Sequence, residues 1–398
     1  MTGYTQSEGG FLSKIKPYLL ALLCLSLLTG HNLYFLNPAL TILRLSVAVA
    51  IGYLLVQRQL PKEKLFYAVV LWFVIYAGWT CAVTFLWPQA IDWSKMLNFL
   101  TIPIIVFALL GLMIDNPRPA LKWLFYIALL YEVAMLAIGA WEIYSGWHFP
   151  SSRMRDELNA NMRIPTGVYR NENDLSTLVV LAAVYASSYA YVFLTGKKRH
   201  IGLAALVATI PLLLMTHCRI GLIVIILALA MIGRKTIIKY KYVAIALAVL
   251  AIVACLIIWL RDTSPWFRMN LYKESLFSPY DSYGLGFGIN GEHYYLSKIN
   301  NYDYTKYYTN VHSYLFEILV CSGLPLFITY CGGVAYLMRR MARHGRNEFW
   351  LMPLLYLLML FAPSSSTMFW GQYVFFAGIV VYAVYCGRDY ASVASGVD

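Results

Sequence analysis

Residues 65–87 read LFYAVVLWFVIYAGWTCAVTFLW and carry no charge from end to end. The lipid hydrocarbon core is about 30 Å thick, and a helix crosses it with about 20 apolar residues. The stretch therefore reads as a membrane-crossing helix. The same ruler laid outward along the chain finds further apolar runs at 17–36, 38–56, 97–114, 120–141, 175–194, 201–215, 220–232, 243–260, 313–338, 350–361 and 369–386. The eighth and eleventh of the twelve are short by this measure. The fold class is all-α: a polytopic integral membrane protein with about twelve transmembrane helices, forming a single membrane domain over 1–398.

Composition agrees. Of 398 residues, 60% are hydrophobic and 13% charged, with a mean hydropathy of +0.63. Soluble domains carry about 25% charged residues. The net charge of +12 raises a nucleic-acid reading, but the positive charges sit in short loops between apolar runs, so no nucleic-acid partner is expected. With the N-terminus inside, nineteen Lys and Arg fall in inner loops. Eleven fall outside, over far more loop, and Arg44 lies within a run. The positive-inside rule then places both termini in the cytoplasm. The seven cysteines lie in or beside apolar runs, without zinc spacing or a disulfide framework. Lys14 and Lys16 before the first run resemble a signal peptide, but no small-x-small site follows, and the run reads as a retained helix.

Two outer loops remain, at 146–174 and 261–312, and chemistry is expected there. The first ends in Thr166-Gly-Val-Tyr-Arg-Asn-Glu-Asn-Asp-Leu-Ser176, where Asn173 or Asp174 is placed to cap the next helix. Arg163 and Arg170 bring positive charge to the same place. A second constellation is His217-Cys-Arg219-Ile-Gly221 in a very short outer turn. Arg219 suits two roles equally, snorkelling to the interface or gripping a phosphate with its planar fork. A third is Gly284-Leu-Gly286-Phe-Gly288, followed by Tyr294, Tyr295, Tyr302, Tyr304, Tyr307, Tyr308 and then His312. The glycines match neither a P-loop nor a dinucleotide fingerprint and suit a tight turn. The tyrosines fit sugar stacking or the membrane interface alike. His312 can take a hydroxyl proton near neutral pH. Arg44, Glu132 and Glu317 fall inside apolar runs, and a structural ion pair between Arg44 and Glu132 is the simplest expectation.

In order, these stretches resemble the O-antigen ligase and polysaccharide polymerase superfamily. The family pattern runs Gly-Thr-Phe-x-Asn-Pro-Asn-Asp, Ser-Arg-Gly opening a helix, Gly-x-Gly-x-Gly, and His-Asn with a glycine eleven positions on. Here it reads Gly167-Val-Tyr-Arg-Asn171-Glu-Asn173-Asp174, Cys218-Arg219-Ile-Gly221, Gly284-Leu-Gly286-Phe-Gly288, and His312-Ser313 with Gly323. Ser313 replaces the usual Asn, Cys218 the usual Ser, Cys321 a common acidic residue and Leu326 a second glycine. Glu317 stands as the substitute for the acidic helper.

The resemblance implies a GT-C-like membrane glycosyltransferase that moves a glycan from an undecaprenyl-diphosphate carrier to an acceptor hydroxyl. The acceptor is a growing lipid-linked glycan for a polymerase, slightly favoured by Asn171-x-Asn173-Asp174, or lipid A core for a ligase. It implies His312 as base and Arg219 at the diphosphate. Arg170, Arg163, Asn171, Asn173, Tyr308 and Glu317 are implied as donor and glycan contacts. No cofactor and no metal are expected; Glu172-x-Asp174 has metal-compatible spacing, but the short first outer loop around Asn37 lacks the acidic ligands of metal-dependent oligosaccharyltransferases. Membrane lipids and other polysaccharide assembly proteins are the expected companions. A transporter or flippase is the rival, since it accounts for many helices and for buried Arg44 and Glu132, and a membrane scaffold comes third. Transporter sites, however, lie near the bilayer midplane.

Overall fold

The computed structural model describes residues 11–29, 42–57, 60–155, 163–233, 264–298, 313–344, 352–361 and 370–394. Among these residues the fold is all-α, with no strand. Eleven of the twelve apolar runs carry helix in their described residues, and the run 243–260 lies outside the described residues. In chain order the helices are α1 (Phe11–Thr29), α2 (Ile42–Gln57), α3 (Lys64–Thr84), α4 (Trp93–Met113), α5 (Pro117–Ser145), α6 (Glu172–Phe193), α7 (His200–Met215) and α8 (Arg219–Ile232). They continue with α9 (Ser264–Asp281), α10 (Gly291–Lys298), α11 (Tyr314–Glu317), α12 (Leu324–His344), α13 (Met352–Phe361) and α14 (Gln372–Ala394). Among the described residues, five helical stretches are long and apolar enough to cross a membrane: α3, α4, α5, α6 and Gly196–Met215.

Local chemistry explains several boundaries. Asp92 caps α4 by accepting from Lys95 N at 3.0 Å. α5 opens on Pro117, whose missing N–H costs nothing at a first helical position, and ends at Gly146 in the left-handed region (φ 71). With 29 residues it is about 43 Å long, longer than a lipid core of about 30 Å is thick.

α6 forms the centre. Leu175 to Ser187 are buried without a break, and the helix packs on α5, α7, α8, α13 and α14. A helix apolar on every side belongs inside a bundle. The peripheral helices turn large apolar side chains outward instead: Leu71, Val74 and Ile75 of α3 are exposed, as suits a surface that faces lipid. α1 is built into the bundle, with Leu23, Cys24 and Leu28 fully buried. At one end Arg388 of α14 pairs with Glu63 at 2.6 Å and donates to Asp115 O at 2.7 Å. The charge rule puts these residues on a single side.

Three expectations are corrected. Glu132 is held by the Thr209 hydroxyl of α7 at 3.1 Å, not by Arg44, which lies on an exposed face of α2. The segment 261–312, read from the sequence as a loop, contains α9 and α10. The tenth run is not one helix. It begins as α11, widens into a π-helical turn at Ile318–Ser322, breaks at Gly323 (φ 85) and resumes as α12.

That break is locked by the glycine turn. Phe287 N donates to Val320 O and Gly288 N to Cys321 O, both at 2.9 Å, while Leu324 N donates to Gly284 O at 3.0 Å. Gly284, Gly286 and Gly288 have φ of 78, 92 and 81. A Cβ on Gly286 would sit 2.5 Å from Cys321 O and 2.6 Å from Gly323 N. The glycines therefore serve a turn and a close backbone approach together. Gly286→Ala is expected to destabilise the protein by about 2–5 kcal/mol, from left-handed strain plus overpacking. Gly332→Ala, where a Cβ meets open space, serves as the near-neutral control in thermal melts.

Candidate functional site

The loop between α5 and α6 is organised by a residue that the sequence pattern does not single out, Glu142. Glu142, in the last turn of α5, is fully buried. Its Oε2 accepts from Thr166 N at 2.8 Å and Gly167 N at 2.7 Å. Its Oε1 lies 3.2 Å from Thr166 Oγ1 and 3.0 Å from His148 Nδ1. Thr166 Oγ1 also donates to Ser152 Oγ at 2.7 Å. One carboxyl group thus gathers both ends of the loop, and hydrogen bonds to it are stronger than neutral ones. No spacing in the sequence announces this, because two of the partners are backbone N–H groups, which any residue carries.

From Thr166 the chain runs into α6. Tyr169 is buried, and its hydroxyl donates to Leu28 O of α1 while lying 2.5 Å from Tyr131 Oη. Burial pushes its phenol well above the ordinary range. Arg170 is exposed, and its carbonyl accepts from Arg153 N at 2.9 Å. Asn171, rather than Asn173 or Asp174, is the N-cap: Oδ1 accepts from Asp174 N at 2.9 Å, and Nδ2 donates to Asp174 Oδ2 at 2.9 Å. The amide of Asn171 is thereby engaged in holding the helix start. Glu172 pairs with Arg153, another partner that sequence reading did not name. Asn173 is half-buried and Arg163 exposed.

The start of α8 is tied to the start of α6. Ser176 Oγ donates to Thr216 Oγ1 at 2.7 Å. His217 then takes a left-handed conformation (φ 54), Cys218 occupies the N-cap without a side-chain cap bond, and Arg219 begins the helix. Its side chain is exposed where the positive end of a helix dipole adds to its charge. Gly221 is needed for packing, since a Cβ there would lie 2.9 Å from Leu213 Cδ2 and 3.2 Å from Val180 Cγ2.

The glycine turn closes a second sector of the same end. Trp79 Nε1 donates to Ser322 O at 3.1 Å, Trp87 Nε1 to Gly286 O at 3.1 Å, and Ile289 N to Thr84 Oγ1 at 2.9 Å. Tyr295 is buried and stacked on Phe287, with ring centroids 4.9 Å apart. Its hydroxyl donates to Asp281 Oδ2 at 3.0 Å, and with its ring buried against Phe287 this tyrosine is a packing residue. Ser313 Oγ accepts from Phe316 N at 3.4 Å and caps α11. Ser and Asn are both strong N-caps, which gives the departure from the family pattern at this position a physical reason. Glu317 is buried, within electrostatic range of Tyr76 and Cys321. α11 packs on α13, which packs on α6 and α8. His312 and Tyr308 lie outside the described residues, His312 immediately before the Ser313 cap.

No family model matches the chain, and no solved structure matches it. The teichuronic acid biosynthesis protein TuaE of Bacillus subtilis (strain 168) is 25% identical over 278 residues, which cover 64% of this chain and 57% of that protein. The chain thus matches little more than half the length of this relative. This chain is all-helical among its described residues, with helices long and apolar enough to cross a membrane, and is similar over 64% of its length to a protein of teichuronic acid biosynthesis.

Proposed function

We propose that the chain is a membrane glycosyltransferase of cell-surface polysaccharide assembly, transferring a glycan from an undecaprenyl-diphosphate carrier to an acceptor hydroxyl. The observation that carries this reading is the joining of two motif stretches at one end of the bundle. Arg170 directly precedes the Asn171 cap of α6, Arg219 opens α8, and Ser176 and Thr216 link the two starts. The similarity to a teichuronic acid biosynthesis protein supports the same class of work; the form Asn171-x-Asn173-Asp174 is what inclines the reading to polymerising repeat units over ligation to lipid A core.

In the reaction, the acceptor oxygen bonds to the anomeric carbon. The bond from that carbon to the diphosphate oxygen breaks, and its electron pair leaves with the diphosphate. His312 takes the hydroxyl proton. Arg219, with Arg170 and Arg163, neutralises the leaving charge, so no metal is required. Purified protein incubated with lipid-linked repeat units in EDTA is expected to make longer glycans. Failure to extend them, together with capping of an added lipid A core, would turn the assignment to ligase. Movement of the lipid-linked units across a vesicle bilayer without extension would turn it to flippase.

The reading puts the site on the periplasmic or extracellular face of the plasma membrane and both termini in the cytoplasm. Single cysteines at Asn300 and Gly196, in a background without native cysteines, are expected to react with an impermeant reagent in intact cells only at Asn300. Labelling at Gly196 would reverse the orientation.

A further inference from the structure

A groove of about 450 Å³ runs between α3 and α12 at the Glu63–Arg388 end of the bundle. Ligand sites of about 300–1,000 Å³ are usual. The two helices are antiparallel here: Thr80 meets Ser322 at 2.8 Å, and Trp72 Nε1 donates to Thr329 Oγ1 at 3.0 Å. Continuing that register places Ala68 opposite Gly333, and the gap arises because both side chains are small. Both residues are exposed, so the groove opens sideways, and Phe376 of α14 lines it. From Trp72 to Lys64 it extends about 12 Å along the helix.

Its other end carries two cations. Lys64 is exposed, and Arg340 is fixed by donating from Nε to Ala383 O at 2.9 Å. Glu63, the adjacent acid, is already paired with Arg388, which leaves this mouth positive. We propose that the groove holds one anionic phospholipid, its acyl chain between Ala68 and Gly333 and its phosphate between Lys64 and Arg340. The apolar channel suits a chain, and basic clefts between membrane helices bind anionic headgroups. The proposal rests on the chain crossing a membrane and is independent of glycan transfer, so its test reads lipid and not activity.

The test is native mass spectrometry of the full chain from mixed micelles containing phosphatidylglycerol and phosphatidylcholine. One phosphatidylglycerol per chain is expected, with about a 30-fold preference from two cations that excess inorganic phosphate does not abolish. Lys64→Gln should cut the preference about five-fold. Gly333→Leu should remove the lipid, because a Cβ at Gly333 meets open space and the added side chain fills the channel. Gly332→Leu, adjacent but not lining the groove, should retain it. Equal retention of both lipids, parental retention by Gly333→Leu, or displacement by phosphate alone would overturn the proposal. If Gly333→Leu does not elute as a folded species, the comparison of the parent with Lys64→Gln decides.

Discussion

His312→Ala is expected to slow glycan transfer by about 10²–10⁴-fold, the usual contribution of a general base, with the protein still folded and able to hold donor. Its sequence neighbour Ser313 supplies the cap of α11, so removing the imidazole leaves the helix start in place. Arg219→Ala should also lower transfer, by weakening stabilisation of the leaving diphosphate. Arg219→Lys should rescue poorly, because an ammonium lacks the bidentate fork. Polymer length and acceptor capping are followed together with expression and melting. Near-normal transfer by a well-folded His312→Ala protein would remove the proposed base. The same result for Arg219→Ala would remove the main residue-level support for a transferase.

Glu142→Ala should destabilise the protein by about 2–6 kcal/mol. The substitution strands the Thr166 and Gly167 N–H groups, and each buried donor left without a partner costs about 1–3 kcal/mol. Glu142→Gln keeps one acceptor oxygen and should cost less. Melting and limited proteolysis of the 146–171 loop are the readouts, with cleavage near Ser151 rising first as the loop comes loose. A Glu142→Ala protein that melts with the parent would show that the loop is held by other means. Because the same loop leads into Arg170 and the Asn171 cap, transfer should fall along with stability.

The helices were legible because lipid imposes a length and an apolarity that a sequence displays directly: the run 65–87 became α3, Lys64–Thr84. Ends were less legible. α5 continues to Ser145 because helical hydrogen bonding stops at a glycine and not where lipid stops. α9 and α10 escaped notice since their composition lacks a long apolar run. The turn at Gly284 was readable as a turn, but its partner strand of backbone at 320–324 lies dozens of residues away and carries no complementary pattern. Glu142 shows the same limit more sharply. A carboxyl group at the end of an apolar run looks like an ordinary solvated charge until its backbone partners are folded onto it. Glu132 was correctly placed in a helix but wrongly paired, because hydropathy says which residues are buried and not which ones meet.

The bond from Arg388 to Glu63 has a consequence for how the protein is made. The two residues are separated by 325 positions, and chains are synthesised at about 5–20 residues per second. Glu63 therefore waits on the order of 16–65 s for its counter-charge after leaving the ribosome. During that interval α3 sits in place with an unmatched acid at its border and one flank open. The contact between α14 and the start of α3 therefore forms late relative to the synthesis of α3. A ribosome stalled before residue 372 should leave an inserted but unclosed bundle, the form that membrane quality-control proteases would find first.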